Sequence, residues 1–272
     1  MIQISDVGQT FITDGGDRVV ALDDVTLTVG DGEIVTLVGP SGCGKSTLLN
    51  IIAGFQEPTG GTVTFDGEVI TGPGVDRGVV FQSPPLLPWL SAAGNVPLAG
   101  KYDVGKGVGT SRMKERIDDA INAVGLSHAV DRLSHELSGG MRQRTQFARV
   151  LAADPATVLM DEPFGALDPF TREQLQAEVI GVWHRSRPTI IFVTHSVEEA
   201  LLIGHRVVVM VTGPGRISRD IEVPARLRST GYGSGHSREQ LQGKLRAAAA
   251  DPELVKLRRE LTEAVAAAHV AA

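Results

Sequence analysis

The chain of 272 residues has one cysteine, Cys43. A single thiol closes no internal disulfide and fits a reducing compartment. A basic excess is also lacking: 26 Lys and Arg stand against 32 Asp and Glu, for a net charge of −6. A sequence-independent nucleic-acid binder is expected to be more basic, so the composition argues against one. Long apolar runs are missing too. Val207-Val208-Val209-Met210-Val211 is among the longest, against roughly 20 residues for a membrane-spanning helix. The start, Met1-Ile2-Gln3-Ile4-Ser5-Asp6, has neither the basic head nor the apolar stretch of a signal peptide. The expectation is a protein that meets a membrane only through a partner. No internal repeat is evident. The length suits one large α/β domain, or one domain with a subdomain.

What is present begins with Gly39-Pro40-Ser41-Gly42-Cys43-Gly44-Lys45-Ser46-Thr47, which matches the phosphate-loop pattern G-x-x-x-x-G-K-[ST] at every fixed position. Ile34-Val35-Thr36-Leu37-Val38 before it has the composition of a buried strand, and residues 46–53 after it start a helix. Glycines let the backbone aim its N–H groups inward, at a helix N-terminus that already favours anions. In that pattern Lys45 reaches the β- and γ-phosphates and the Ser46 hydroxyl serves Mg²⁺. Cys43 sits inside this loop, so alkylating it is expected to block nucleotide.

Around the loop, alternation at Ile2-Gln3-Ile4 and Val25-Thr26-Leu27-Thr28-Val29 predicts short strands, and residues 60–68 predict a hairpin. Arg77-Gly78-Val79-Val80-Phe81 predicts a strand ending at Gln82. Ser83 to Leu90 is a Pro-rich apolar loop. Residues 111–125, 141–152 and 170–186 have helical spacing, and 157–161, 188–194 and 206–211 predict buried strands. β-Branched runs alternating with helices predict a parallel sheet covered on both faces. Residues 225–238 read as a linker rich in Arg, Ser and Gly, and 238–268 as helical.

A second anion-binding pattern lies at Leu137-Ser138-Gly139-Gly140-Met141-Arg142-Gln143-Arg144, a Ser-Gly-Gly turn opening a helix. Taken alone, it is equally a plain helix cap. It resembles the signature motif of ATP-binding cassette (ABC) ATPases, and other motifs follow in that family's order. Val158-Leu159-Met160-Asp161-Glu162 resembles Walker B with a catalytic glutamate, Ala166-Leu167-Asp168 the D-loop, Thr194-His195-Ser196 the switch histidine, and Gln82 the Q-loop glutamine. The resemblance covers about residues 1–223. It implies a P-loop NTPase fold of class α/β: a parallel core sheet, an N-terminal antiparallel β subdomain and a helical signature subdomain inserted at about 83–153. The cassette domain is expected over 1–224, with a linker and helical extension over 225–272 that packs on the body.

The resemblance also implies roles. ATP and Mg²⁺ are the expected ligands, with Gly39 to Thr47 around the phosphates. Ser46, Asp161 and Gln82 attend the cation, and Asp161 does so through water. Glu162 is the general base, and Lys45, Gln82 and His195 are its catalytic companions. Phe11, in an N-terminal loop, is the candidate for stacking on adenine, with Val20 on the same face; the alternative is a core phenylalanine. One phosphate loop and one signature imply two copies, head to tail, with Ser138, Gly139 and Gly140 closing over the partner's ATP and Asp168 crossing between them.

The segment 83–137 has neither heptads nor a cysteine pair, unlike repair and chromosome cassettes, so a transport subunit is favoured over a cassette not tied to transport. Two separate transmembrane permease subunits, an indirect solute-binding protein, no nucleic acid, and a place on the inner face of the cell membrane are then expected. Residues 83–90 would help form the permease groove. The stretches 77–82, 86–89, 161–168, 170–172 and 213–216 resemble the nitrate/sulfonate/taurine importer group, with taurine the expected solute. Aliphatic sulfonates, nitrate or bicarbonate, and pyrimidine precursors remain open alternatives. Met141, where many members have Gln, and Val150, where many have Ala, depart from the pattern.

Overall fold

The structure, a computed structural model, describes residues 1–98, 110–165, 167–228 and 236–270. The expected helical insert, the D-loop's Ala166 and the linker therefore fall partly outside the described residues.

Two sheets are built from the patterns above. β1 (Ile2–Ile12) and β2 (Arg18–Val29) pair antiparallel, and β1 also pairs with β4 (Gly60–Phe65), which turns at Asp66-Gly67 into β5 (Glu68–Val69). The order is β2-β1-β4-β5. β1 and β2 are long where short strands were expected, because register shifts between Ile4 and Thr10 absorb the breaks in alternation.

The second sheet runs β10-β9-β3-β8-β7-β6. β3 (Ile34–Val38), β6 (Arg77–Val80), β7 (Thr157–Asp161), β8 (Thr189–Val193) and β9 (Arg206–Val211) are parallel. β10 (Arg216–Glu222) joins β9 antiparallel. It was not legible beforehand: its solvent-facing side is polar, and an edge strand need not carry a continuous apolar run.

Successive side chains of β3 point to opposite faces, and each face has its own core. Ile34 and Val38 join Met160, Phe192 and the helices of one side, while Val35 and Leu37 join Leu48, Ile52 and the antiparallel sheet on the other. Thr36 is fully buried, and its hydroxyl donates to the Arg206 carbonyl at 3.0 Å.

The helices are α1 (Lys45–Ala53), α2 (Ala92–Asn95), α3 (Thr110–Ala123), α4 (Gly139–Ala153), α5 (Pro169–Ser186), α6 (Val197–Ile203), α7 (Arg238–Ala249) and α8 (Pro252–Val270). Ser138, Asp168, Ser196 and Ser237 each cap a helix by accepting a backbone N–H. The helical region expected over 238–268 holds two helices, divided just before Pro252, whose ring is tolerated only in a first turn. Leu241, Leu245, Leu254 and Leu261 are buried in the main core, so both helices pack on the body. Arg238 of α7 also approaches Glu178 of α5 at 3.3 Å, beside Arg144 of α4 at 3.5 Å. Burial pushes the Glu178 carboxyl up to about 7 against the pull of both arginines.

Leu261→Ala is expected to lower unfolding stability by about 2–5 kcal/mol, as for other fully buried leucines. Urea unfolding measures it. A change below about 0.5 kcal/mol would show that α8 is only loosely attached.

Candidate nucleotide site

Four neighbouring strands, β3, β8, β7 and β6, end at one edge of the parallel sheet. Their carboxyl ends carry the 39–44 loop, His195, the Asp161–Glu162 pair and Gln82. Ligands of open α/β sheets bind at such an edge.

The loop is shaped by Gly44, whose φ is +88°. A Cβ there would overlap the Leu22 side chain and lie 2.8 Å from the Ala21 carbonyl, so β2 leaves room for glycine only. α1 begins at the next residue with its N–H groups toward the loop. The Lys45 ammonium lies inside the loop, donating to the carbonyls of Gly39 and Pro40, both at 2.8 Å. Cys43 is fully buried, with its Sγ 3.5 Å from that ammonium. A buried thiol reacts slowly, so the alkylation expected to block nucleotide meets a shielded sulfur.

The Ser46 hydroxyl donates to Asp161 Oδ1 at 3.0 Å. The loop and the end of β7 therefore present two hard oxygen donors at one point. Burial raises the Asp161 carboxyl above its ordinary range; the Ser46 hydrogen bond and Lys45 oppose this, and the charge of Glu162 adds to it. A divalent cation would stabilise that carboxylate. No cluster of three or more His, Cys, Asp or Glu able to hold a metal occurs among the described residues. The Ser46 hydroxyl and the Asp161 carboxylate, both hard oxygens, fit a Mg²⁺ that Asp161 would reach through water.

Next to this pair, Glu162 gathers two more predicted residues. Gln82 Nε2 donates to Glu162 Oε2 at 3.4 Å, and His195 Nδ1 lies 3.5 Å from the same oxygen. Glu162 has φ of +41°, a left-handed conformation uncommon for a glutamate. Its N–H donates to the Val193 carbonyl at 3.0 Å, which ties it to the end of β8. Gln82 is set by the residue before it: Gln143 and Gln146, buried on α4, donate to the Phe81 carbonyl at 3.3 and 3.0 Å.

The residues of the predicted signature lie at the start of α4. Ser138 accepts the Met141 N–H at 3.2 Å and caps α4. Gly140 packs against α5, where a Cβ would come 2.7 Å from Thr171 Cγ2. Asp168 Oδ1 accepts the Thr171 N–H at 3.0 Å, and hydrogen bonds from the Thr171 hydroxyl and backbone hold its carboxyl below the ordinary range. Phe11 requires a correction: it lies in β1, paired with Val19 of β2, rather than in a loop. It is 41% exposed and so is not a core phenylalanine.

Three residues that sequence reasoning did not place in the site adjoin it. The Thr194 hydroxyl donates to Glu199 Oε2 at 2.7 Å, and Arg172 Nε lies 3.4 Å from Glu199 Oε1. Ser196-x-x-Glu199 has the spacing of a capping box. That pattern predicts an outward, backbone-directed glutamate and conceals its buried position.

A nucleotide-binding P-loop fold is the class these features define. The profile of the ABC transporter family matches residues 22–165. The taurine import ATP-binding protein of Jannaschia sp. (strain CCS1) is 41% identical over 96% of this chain and 92% of its own length. The nitrate import ATP-binding protein of Synechococcus elongatus is 46% identical over 80% of this chain and 79% of its own. Among solved structures, the dimeric ATP-binding cassette MJ0796, bound to ADP and Pi in a post-hydrolysis state, superposes with a TM-score of 0.74 at 30% identity, covering 82% of this chain and 99% of that one. The chain belongs to the ABC transporter family of ATP-binding cassettes.

Gly44→Ala is expected to weaken ATP binding roughly tenfold or more, because the loop must leave its anion-binding shape. Titration calorimetry measures it, and wild-type affinity in a folded variant would count against the loop as the phosphate site.

Proposed function

We propose that this chain is the ATP-hydrolysing subunit of a bacterial ABC importer that energises uptake of a small sulfonate, taurine in the first place. The observation that carries the catalytic reading is the convergence of Lys45, Ser46, Asp161, Glu162, His195 and Gln82 at one sheet edge. The transport reading is supported by the import ATP-binding proteins among the relatives.

The residues divide the work as follows. The 39–47 loop and the Lys45 ammonium hold the β- and γ-phosphates. Ser46 and Asp161 hold Mg²⁺, Asp161 through water and with Gln82 nearby; the bound ion supplies neutralisation of phosphate charge. Glu162 accepts a proton from the attacking water, whose oxygen bonds to the γ-phosphorus as the bond to the ADP oxygen breaks. His195, beside Glu162, orients that water and the γ-phosphate. Phe11 stacks on adenine, worth about 1 kcal/mol beyond burial.

Ser138, Gly139 and Gly140 face the ATP of a second copy, with Asp168 crossing between the two. The dimeric relative supports this arrangement, as does Phe170, which is 63% exposed two residues after Asp168. A mainly apolar cleft of about 590 Å³ beside β6 and α4, lined by Phe55, Val79, Phe81 and Val150 but by no residue of the 83–90 loop expected to form the groove, suits a helix of a permease subunit. Phe55 and Phe81 stack there at 6.0 Å, and Trp89 nearby in sequence is 70% exposed. No helix is long and apolar enough to cross a membrane among the described residues. In this reading two permease subunits hold the chain at the inner face of the cell membrane, and a solute-binding protein acts through them. The cassette spans residues 1–224, with 225–272 as its extension.

The nitrate importer among the relatives favours nitrate as a second reading of the solute.

Glu162→Gln is expected to bind ATP with near wild-type affinity, accumulate as an ATP-bound dimer and lose nearly all turnover. Ser138→Arg is expected to bind ATP as a monomer and fail to dimerise. Light scattering with and without ATP, alongside phosphate release, separates these. Wild-type turnover in Glu162→Gln sinks the base assignment, and ATP-dependent dimers of Ser138→Arg sink the shared site.

The solute is tested by purifying the chain with candidate permease and solute-binding proteins and recording ATP hydrolysis. Taurine is expected to stimulate it. Stimulation by nitrate, another sulfonate or a pyrimidine precursor instead replaces the solute, and no stimulation by any of them favours a cassette outside transport.

A further inference from the structure

Glu199 is a buried carboxylate that the reaction above does not use. Its side chain is 10% exposed, on the first turn of α6, four residues after His195. A glutamate at this spacing from Ser196 ordinarily reaches back to the cap residue's own N–H. Here it does not. The Ser196 N–H donates to Thr194 Oγ1 at 3.0 Å, and the Thr194 hydroxyl in turn donates to Glu199 Oε2 at 2.7 Å. Both neighbours of His195 in the chain are therefore held by one hydrogen-bond chain that ends on Glu199.

The other carboxylate oxygen faces α5. Arg172 Nε lies 3.4 Å from Glu199 Oε1, and Gln176 Nε2 approaches the same oxygen at 3.5 Å. Arg172 does not stop at Glu199. Its guanidinium also donates to the Leu167 carbonyl at 3.2 Å, the residue just before Asp168. A cleft of about 240 Å³ between α5, α6 and α7, lined by Arg172, Gln176, Ser196 and Glu199 among others, opens at this seam. Polar contacts rather than apolar packing thus span the gap between the first turns of α5 and α6.

We infer that Glu199 is a positioning residue: through Thr194 on one side and Arg172 on the other, it locks the His195 turn to the turn that presents Asp168. The inference rests on the proposed roles of His195 and Asp168. A partner copy that shifts Asp168 would then move the Leu167 carbonyl and Arg172, and with them the carboxylate that orients the His195 turn. Hydrolysis in one site becomes responsive to closure at the dimer face. A carboxylate is suited to this because it accepts a hydrogen bond from the Thr194 hydroxyl while its charge attracts the Arg172 guanidinium, and hydrogen bonds to charged partners are the stronger ones.

The test uses the full-length chain, Mg-ATP, and the variants Glu199→Gln, His195→Ala and the double variant. Glu199→Gln keeps the shape and an acceptor for Thr194 but removes the charge facing Arg172. It is expected to lower kcat roughly tenfold while ATP affinity stays within about twofold, as for a group that acts only on the chemical step. His195→Ala is expected to abolish most turnover, and adding Glu199→Gln to it should change kcat less than about twofold, since residues acting through one another are not additive. Arg172→Gln, which removes the other end of the link on a different helix, should reproduce the Glu199→Gln profile if that variant folds poorly.

Wild-type kcat in Glu199→Gln, with His195→Ala inactive, overturns the inference and leaves the site reading intact. So does a full additive loss in the double variant, which marks a purely structural role. Wild-type turnover in His195→Ala overturns the site reading itself.

Discussion

Parallel pairing of β3, β8, β7 and β6 is the constraint on which the rest depends. Adjacent strands in a sheet lie about 4.8 Å apart, so residues at their carboxyl ends are neighbours whatever their separation in the chain. Val38, Val193, Asp161 and Val80 end four strands of one sheet, and the loops that leave them therefore open on a common space. The short distances from Ser46 to Asp161 and from Glu162 to Gln82 and His195 follow from that alignment. The strands are pinned on both faces by apolar cores that alternate along β3. A one-residue slip would exchange those cores and dismantle the edge together.

Helix caps transmit this order outward. Ser138, Asp168 and Ser196 each begin a helix; the first two belong to the proposed shared site and the third adjoins His195. The same hydrogen bond that starts the helix fixes the turn before it. Backbone atoms share the work: the Phe81 carbonyl is held by two glutamines of α4, and the Leu167 carbonyl by Arg172. The helix carrying the signature and the helix following Asp168 are thereby joined to the turns at the sheet edge. Gly140 against Thr171 and Arg144 near Glu178 close the circuit between those two helices.

Much of this was legible in the chain. Buried strands announce themselves as β-branched runs, and a phosphate loop by glycines whose spacing the backbone geometry demands. Other features were hidden for stated reasons. β10 is an edge strand with polar outward residues, so its pattern is diluted. Phe11 was expected in a loop because the resemblance implied one there, yet register shifts carry β1 through to Ile12. The C-terminal region read as helical over 238–268 with no break placed in it, since the division at Pro252 leaves helix-favouring residues on both sides.

Local chemistry alone determined the residue types of the site: a Gly-Lys-Ser turn for phosphate, an Asp-Glu pair at the end of an apolar strand, a histidine after another, and a Ser-Gly-Gly helix start. Each of these is written in consecutive residues, because each depends on backbone conformation within one turn. Only the tertiary structure decided which of them meet. Glu162 contacts Gln82 and His195 because strand order places β7 between β6 and β8. Glu199 turns inward to Thr194 and Arg172 because the fold brings the first turns of α5 and α6 within polar reach of each other, and that choice overrode the capping pattern its own neighbours spell. The physical reason is the same in both cases: hydrogen bonds and ion pairs act over about 3 Å, and only folding brings residues so distant in sequence within that range.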